Sequence, residues 1–221
     1  MTILLLRHGQ TDWNVEPARC QGWADVPLND VGRAQARDQG RALRGRGIEL
    51  IVTSHLARAR ETAEIVRAEL LADAARAGAA AGEGADPLQL IVDPRLAETD
   101  RGAWEARTFA EIIETEPDTW RHYRERPDTF RFPEGESLAQ QQRRVLACMR
   151  DVALDGRRAL LVTHGGSIRL ARCFLEGRGI ATFHKDSTSN GGVEDVPAGD
   201  LVQRIESFLL GNAWATRATG G

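Results

Sequence analysis

Short apolar runs alternate along this chain with longer amphipathic stretches. The apolar runs have the length expected of buried strands and lie at residues 3–6, 50–52, 88–92 and 159–163. The amphipathic stretches, the first of which follows a typical N-cap at Asn29, predict helices at residues 30–44, 56–75, 137–154 and 167–175. This alternation predicts an α/β fold in which helices cover both faces of a mostly parallel central sheet, giving a three-layer α/β/α sandwich.

Two segments interrupt this alternation, although we expect residues 1–221 to form a single domain. Residues 77–87 are rich in Gly and Ala and show no period, which predicts a flexible surface insertion. Residues 105–135 contain a small helical excursion at about 108–126. We therefore expect one core with a loop insertion and a small helical appendage.

The pattern is weaker after residue 180. Turn signals flank residues 193–196 and 201–208, which predicts an edge hairpin, although 201–210 could also form a helix. The last four residues, 218–221, are expected to be disordered.

Composition is that of an ordinary soluble globule, with 42% hydrophobic and 28% charged residues. The formal net charge of −3 gives no reason to expect nucleic acid or an anionic membrane as a partner. Cys20, Cys148 and Cys173 lack the C-x-x-C spacing of a zinc site and do not suggest a disulfide framework. The first apolar run is too short for a signal peptide, so we expect a cytoplasmic protein.

Candidate chemistry lies where two of the predicted strands end. Arg7-His8-Gly9 directly follows the first apolar run, and His164-Gly165-Gly166 directly follows the run at 159–163. Open α/β sheets bind ligands at the carboxyl ends of their strands. If these two strands are neighbours in the sheet, both imidazoles meet at one point.

Several further motifs accompany these two turns. They are LRHGQTDWN at residues 6–14, QGWADVPL at 21–28, GRAQA at 32–36, TSHLARARETA at 53–63, LAETDRGAWE at 96–105, GESL at 135–138 and VTHGG at 162–166. In content and order they resemble those of the histidine phosphatase superfamily, also called the phosphoglycerate mutase-like family. The resemblance implies a phosphoglycerate mutase-like fold, a small helical cap over the active site, and a homodimer.

The residue types are chemically suited to phosphoryl transfer. A neutral imidazole is a competent nucleophile near pH 7, because its reference pKa is about 6.5, so His8 could attack phosphorus without a metal. Negative charge spreads over the phosphoryl oxygens in the transition state, and a guanidinium fork can hold two such oxygens. Arg7 and Arg58 meet this need, and His164, if protonated, would add a further donor.

The resemblance implies a specific division of roles. His8 becomes phosphohistidine, while Arg7, Arg58 and His164 hold the phosphoryl group. Glu98 protonates the leaving alkoxide and then acts as the base for water. As an acid, Glu98 must keep its proton near neutrality, which requires burial or a nearby negative charge such as the phosphate itself.

Other residues are weaker candidates for the phosphate pocket. Thr11, Asn14 and Gln21 offer neutral hydroxyl and amide groups, although turn-forming or capping roles explain them equally well. The family pattern also places Gly165 in this pocket. It selects Arg58 over Arg60, which lies two residues further along the same predicted helix and so points to another face.

Residues 105–135, which correspond to the cap, offer three further candidates for anion contacts: Arg121, Arg124 and Arg131. The resemblance implies that the cap selects the leaving group. A solvated helix face is nevertheless the favoured interpretation of each of these arginines.

Three departures from the family pattern bear on the reaction. Ala106 stands where the family usually has Gly, so the turn there is expected to differ. Thr99 follows Glu98 where mutases typically carry Arg, and the Arg-Arg pair with which mutases hold a substrate carboxylate is missing. A mutase needs a second anion site to retain its intermediate, so these differences favour a phosphatase.

The resulting hypothesis is a phosphomonoesterase for small phosphorylated metabolites that needs no metal and no other cofactor. A phosphoglycerate mutase is the main alternative. A catalytically silent binding module is less favoured, because all five core residues are present: His8, Arg7, Arg58, Glu98 and His164.

Overall fold

A five-stranded sheet forms the centre of the protein. The computed structural model describes residues 2–76, 88–197 and 199–217, so the predicted insertion at 77–87 and the chain end at 218–221 lie outside the described residues. The strands are β1 (Thr2–Arg7), β2 (Leu50–Thr53), β3 (Gln89–Val92), β4 (Ala159–Thr163) and β5 (Val193–Pro197). Their order across the sheet is β3-β2-β4-β1-β5, and all neighbours are parallel except β5, which runs antiparallel to β1.

Helices follow the strands and cover both faces of the sheet. They are α1 (Asp30–Ala42), α2 (Ala57–Arg76), α3 (Phe109–Thr115), α4 (Pro117–Glu125), α5 (Leu138–Asp155), α6 (Gly165–Leu175) and α7 (Leu201–Arg217). Short 3-10 helices lie at Asp12–Asn14, Pro94–Leu96, Gly102–Trp104 and Ile180–Lys185. Asn29 caps α1 by accepting a hydrogen bond from the Gly32 N–H at 2.9 Å, as its sequence position predicts.

Alternate residues of β1 enter two different cores. Ile3 and Leu5 pack with residues of α5, α6 and α7, whereas Leu4 and Leu6 pack with residues of α2 on the opposite face. Side chains of a strand point alternately to the two faces of its sheet, so one short apolar run serves both layers. The predicted three-layer sandwich is thereby confirmed.

An aromatic cluster joins residues 105–135, the predicted cap, to α6. Trp104 is fully buried and contacts the rings of Trp120, Tyr123, Phe130 and Phe132 at centroid distances of 5.3 to 5.9 Å. Leu170 and Cys173 of α6 belong to the same cluster. The helical excursion consists of two short helices, because Pro117 begins a new helix after α3 ends.

The predicted start of one helix and the predicted edge hairpin are wrong. α6 begins at Gly165, two residues before the predicted start, with His164 as its N-cap. The predicted edge hairpin does not form, since β5 pairs with β1 and residues 201–217 are helical. Leu201 and Ile205 are buried in the core one helical turn apart, so helical spacing prevails over the turn signals.

Ala106 adopts the left-handed backbone conformation that favours Gly, with φ of 67°. The Ala106 N–H donates to the Cys20 carbonyl at 2.9 Å, and the Ala106 carbonyl accepts from the Arg19 side chain at 2.7 Å. The Cβ of Ala106 strains this left-handed conformation, which Gly would adopt without that cost.

Ala106→Gly is accordingly expected to raise the free energy of unfolding by about 1 kcal/mol, because it removes a left-handed alanine. Urea denaturation of the two proteins measures this difference. A matched change of Ala34, an exposed residue inside α1, to Gly should instead lower stability, and a fall in stability for Ala106→Gly would contradict the argument.

None of the described helices is both long and apolar enough to cross a membrane.

Candidate active site

The two histidines that follow β1 and β4 lie side by side. β1 and β4 are parallel neighbours with Arg7 paired to Thr163, so His8 and His164 leave the sheet at the same level. The His8 N–H donates to the Thr163 carbonyl at 2.9 Å, and the two ring centroids are 5.1 Å apart. The register of the sheet thus brings together residues that are distant in the sequence.

A contact between the His8 ring and the backbone of Gly9 determines which nitrogen of His8 can react. Nδ1 lies 2.7 Å from the carbonyl oxygen of Gly9, which can only accept, so Nδ1 carries the proton and Nε2 keeps its lone pair. Burial, followed by the charges of Arg58 and Arg7, holds the pKa of His8 well below its usual value. His8 is therefore neutral, and it lines a cavity of about 340 Å³.

His164 lies next to His8 but does not line the cavity. It is fully buried, and burial together with Arg58 and His8 holds its pKa well below the usual value. Its Nε2 lies 2.9 Å from the Ser54 hydroxyl, which also accepts from the Leu56 N–H at 3.3 Å and so can donate to Nε2. Burial and the nearby positive charges thus favour neutral His164, and its role as a donor to the phosphoryl group stays a prediction.

Arg7 and Arg58 both line the cavity. Arg58 is fully buried and donates to the carbonyls of Ala24 and Gly22 at 2.8 and 2.7 Å, while Arg7 donates to the carbonyl of Thr188. The Nε of each is buried without a hydrogen-bond partner in the described structure. Burial lowers the pKa of Arg58 to about 10, so its charge remains at neutral pH. By contrast, Arg60 is exposed, as its spacing predicts.

Glu98 lines the cavity as an ionised carboxylate. Its Oε1 accepts from the Thr99 N–H at 2.9 Å and from the Gln141 amide at 3.1 Å, and its Oε2 accepts from the Gly166 N–H at 3.1 Å. Burial alone would raise the pKa of Glu98, but Arg101 and the two backbone donors outweigh it and lower the pKa to about 2. Burial alone therefore does not keep the proton that an acid role requires.

The weaker candidates divide between the cavity and its support. Asn14, Gln21 and Gly165 line the cavity, and the Oε1 of Gln21 is buried without a partner in the described structure. Thr11 does not line the cavity: its N–H and hydroxyl donate to Asn14 Oδ1 at 2.9 and 3.1 Å, which leaves the Asn14 amide nitrogen for a ligand. At Gly165, a Cβ would lie 2.9 Å from the Thr188 hydroxyl and 3.2 Å from Arg7 Nε, so a larger residue would have to displace these side chains.

Several cavity-lining residues were not singled out in the sequence analysis, including the charged Arg19, Arg101, Arg169 and Asp186 and the hydroxyl-bearing Ser187 and Thr188. Arg169 lies four residues after Gly165 on α6, a spacing that would have revealed it had the helix start been known. Ser187 and Thr188 follow the last 3-10 helix, where the sequence carries no recognisable signal.

The cap arginines lie elsewhere. Arg121 pairs with Asp118 at 2.6 Å, Arg124 contacts His184 Nδ1 at 3.2 Å and Arg131 donates to Gln140 at 3.0 Å. All three are exposed and none lines the cavity. Arg121 and Arg124 lie on the exposed face of α4, as the favoured interpretation predicts, whereas Arg131 lies outside the helices in a β-bridge with Ser137.

Metal ligation is tested by how acidic, His and Cys side chains group. Within residues 2–76, 88–197 and 199–217, no three of them are arranged to hold a metal ion. The three cysteines are free and buried.

The two buried neutral histidines make stability dependent on pH. Below about pH 6.5 the unfolded chain takes up protons at His8 and His164 that the folded protein does not, so the free energy of unfolding should fall with pH, by at most about 1.4 kcal/mol per pH unit for each. Glu98, with its pKa lowered to about 2, adds a further loss below about pH 4.5. Urea denaturation between pH 7.5 and 5 measures the slope, which should be shallower in His8→Gln. Equal slopes would contradict this account.

Known proteins resemble this chain in sequence and in fold. The model of the histidine phosphatase superfamily (branch 1) matches residues 3–206. A probable phosphoglycerate mutase, GpmB of Cronobacter sakazakii, is 37% identical over 168 residues, which cover 75% of this chain and 70% of that protein. YhfR of Bacillus stearothermophilus is 30% identical with a TM-score of 0.76, covering 89% of this chain and 90% of that one.

A second solved structure is similar in fold and length. A mycobacterial glucosyl-3-phosphoglycerate phosphatase complexed with VO3 is 28% identical with a TM-score of 0.76, covering 91% of this chain and 93% of the other.

Proposed function

The chain belongs to the histidine phosphatase superfamily, and from this membership we propose that it hydrolyses small phosphate monoesters through a phosphohistidine on His8. One observation carries the proposal. The carbonyl of Gly9 fixes the proton of His8 on Nδ1, so the Nε2 lone pair is available in a cavity that Arg7 and Arg58 also line.

In the first step the Nε2 of His8 bonds to phosphorus as the bond from phosphorus to the ester oxygen breaks. The positive charges of Arg7 and Arg58 stabilise the negative charge on the phosphoryl oxygens. The amino end of α6 adds its partial positive charge. The Gly9 carbonyl stabilises the charge that His8 gains, because it already accepts the Nδ1 proton.

Glu98 moves the protons in this scheme. A bound phosphate dianion raises the pKa of Glu98, since it adds negative charge and offsets the arginines that keep the carboxylate ionised. Glu98 then protonates the leaving oxygen. In the second step it takes a proton from water, the water oxygen bonds to phosphorus, and the bond to Nε2 breaks. Glu98 regains its proton and His8 returns to its neutral form.

A phosphoglycerate mutase is the second candidate, favoured by two observations. The relative from Cronobacter sakazakii is named a probable phosphoglycerate mutase. In addition, Arg101 and Arg169 line the cavity and could retain a second anionic group, a feature that the sequence analysis expected to be absent. The lack of an adjacent Arg-Arg pair therefore does not by itself decide against a mutase. The solved phosphatase, which covers nearly all of this chain, supports hydrolysis.

The deciding experiment measures two reactions of the purified protein in a chelator. Phosphate release is followed on a panel of sugar phosphates, nucleotides and 3-phosphoglycerate, while isomerisation of 3-phosphoglycerate is followed in parallel. Release that survives chelation is the expected result. Isomerisation without release would make the protein a mutase, and the absence of both reactions would restore the binding-module alternative.

A further inference from the structure

Three consecutive glutamines lie near the start of α5, and one of them is fully buried behind Glu98. Gln140 belongs to the cap of the helix, and Gln142 donates to the Leu170 carbonyl at 2.9 Å. Gln141 has no exposed surface, although it does not line the cavity. Glutamine is rarely buried unless its amide is hydrogen-bonded, so the partners of Gln141 indicate what it does there.

The amide of Gln141 has one orientation that suits all of its neighbours. Turned around, it would place its oxygen against a carboxylate oxygen of Glu98, and two acceptors repel each other. The amide nitrogen therefore faces Oε1 of Glu98 at 3.1 Å and the Ser167 hydroxyl at 3.0 Å, while the amide oxygen accepts from the Thr99 hydroxyl. Ser167 donates in turn to the Ala97 carbonyl at 3.1 Å, so its oxygen can accept from Gln141.

This network leaves the two carboxylate oxygens of Glu98 in different situations. Oε1 accepts from the Thr99 N–H and from Gln141, which occupies both of its lone pairs. The Thr99 hydroxyl lies 3.4 Å from the same oxygen, but its single proton goes to the amide oxygen of Gln141. Within the described structure Oε2 accepts only from the Gly166 N–H, so a lone pair on Oε2 can take up a proton.

We propose that Gln141, oriented by Thr99, is a positioning residue that fixes Glu98 so that Oε2 exchanges the proton with the leaving oxygen and with water. This inference deepens the proposed function and rests on it, because it takes Glu98 as the acid and the base. In the first step the proton on Oε2 passes to the ester oxygen as its bond to phosphorus breaks. In the second step Oε2 takes a proton from the attacking water.

Gln141 also favours the charged form of Glu98. Burial raises the pKa of Glu98, but Arg101 and the backbone N–H groups of Thr99 and Gly166 bring it down to about 2. A further donor on Oε1 acts in the same direction, because it stabilises the carboxylate more than the acid. Without Gln141 the pKa of Glu98 should be higher by about one pH unit, since the Thr99 hydroxyl can turn to Oε1 and replace part of the lost bond.

The test measures the first step alone, with the protein in excess over the ester. Alcohol release from an alkyl phosphate should slow above the pKa that Glu98 has in the substrate complex, since the ionised carboxylate has no proton to donate. In Gln141→Met, which keeps the length of the side chain and removes the donor, the midpoint of this fall should move to higher pH by about one unit. An activated aryl phosphate needs no proton, so its first step should change by less than about twofold.

Gln142→Met is the matched control, because it removes the neighbouring buried amide of the same helix, whose partner lies away from Glu98. It should leave the midpoint where it is. A second pair of variants decides the question if Gln141→Met does not fold. Thr99→Val removes the hydroxyl that orients the amide and should raise the midpoint, whereas Thr99→Ser keeps a hydroxyl and should retain the original midpoint.

Equal losses on the alkyl and the aryl ester, with an unmoved midpoint, would show that Gln141 only supports the fold and would overturn the inference. An equal shift of the midpoint in Gln142→Met would overturn it too, because the effect would then come from α5 as a whole.

Stability provides a measurement that does not depend on turnover. Urea denaturation at pH 7 compares the unaltered protein, Glu98→Gln, Gln141→Met and the double variant. Gln141→Met should cost less stability when Glu98 is already replaced, because the hydrogen bond to a charged acceptor is then gone. If the unaltered protein releases alcohol from neither ester, the proposed phosphatase is wrong, yet this comparison still decides whether Gln141 holds Glu98. Additive losses of stability would refute that contact.

Discussion

Replacing His8 with alanine is expected to abolish phosphate release, with a loss in kcat of about 10⁴-fold or more. The reason is geometric: Nε2 of His8 is a neutral nitrogen with a free lone pair in a cavity that Arg7 and Arg58 share. His164 cannot replace it, because its Nε2 contacts Ser54 and its ring does not line the cavity. Initial rates of phosphate release measure the loss.

Two controls show that His8→Ala removes chemistry and not structure. Thermal unfolding and the binding of inorganic phosphate should show a folded protein with an intact arginine pocket. His122→Ala, which removes an exposed histidine of α4 that contacts the Thr129 hydroxyl at 3.1 Å, should leave turnover unchanged. Turnover by folded His8→Ala at more than a few per cent of the original rate would eliminate His8 as the nucleophile.

Glu98→Gln is expected to discriminate between substrates by their leaving groups. For alkyl phosphates, whose alkoxide needs a proton, kcat should fall by about 10² to 10⁴-fold. For activated aryl phosphates, whose leaving group is stable as an anion, the first step should be nearly unaffected. Burst kinetics with an aryl phosphate measures that step separately from the attack of water, which also needs Glu98.

The packing of Glu98 calls for a stability control. Both of its carboxylate oxygens accept hydrogen bonds, so the amide of a glutamine turns a donor toward the Thr99 or the Gly166 N–H. Glu69→Gln is a matched substitution of a partly buried glutamate, which pairs with Arg44 at 2.9 Å away from the cavity. An equal loss for alkyl and aryl esters in the first step would remove Glu98 from the acid role.

Most of the fold follows from local patterns. The run from Ile3 to Leu6 is apolar at every position because both faces of β1 are covered, and Asn29 marks the start of α1 without ambiguity. The structure of the C-terminal segment was harder to predict, because its turn signals fit a hairpin and its apolar spacing fits a helix. Only the packing of Leu201 and Ile205 against the core decides between them.

The site residues likewise fall into those that local motifs identify and those that only the packing reveals. Arg7, His8, Arg58 and Glu98 belong to short motifs, so the sequence alone was enough to single them out. Arg101 was not recognised as a cavity residue, because its position depends on how the loop after Glu98 packs against the cap. The ionised state of Glu98 was not foreseen for the same reason, because it depends first on the charge of Arg101 and also on the Gly166 N–H, which is distant in the sequence.

The most direct test of this account is to stop the reaction during turnover and look for the covalent intermediate. The protein is mixed with an activated aryl phosphate, quenched in alkali, digested and analysed by mass spectrometry. We predict that one phosphoryl group is attached to the peptide containing His8, that it is lost in acid as phosphohistidine is, and that it is absent from His8→Ala. Phosphate release without any phosphorylated intermediate, or a phosphoryl group on another residue, would contradict the account.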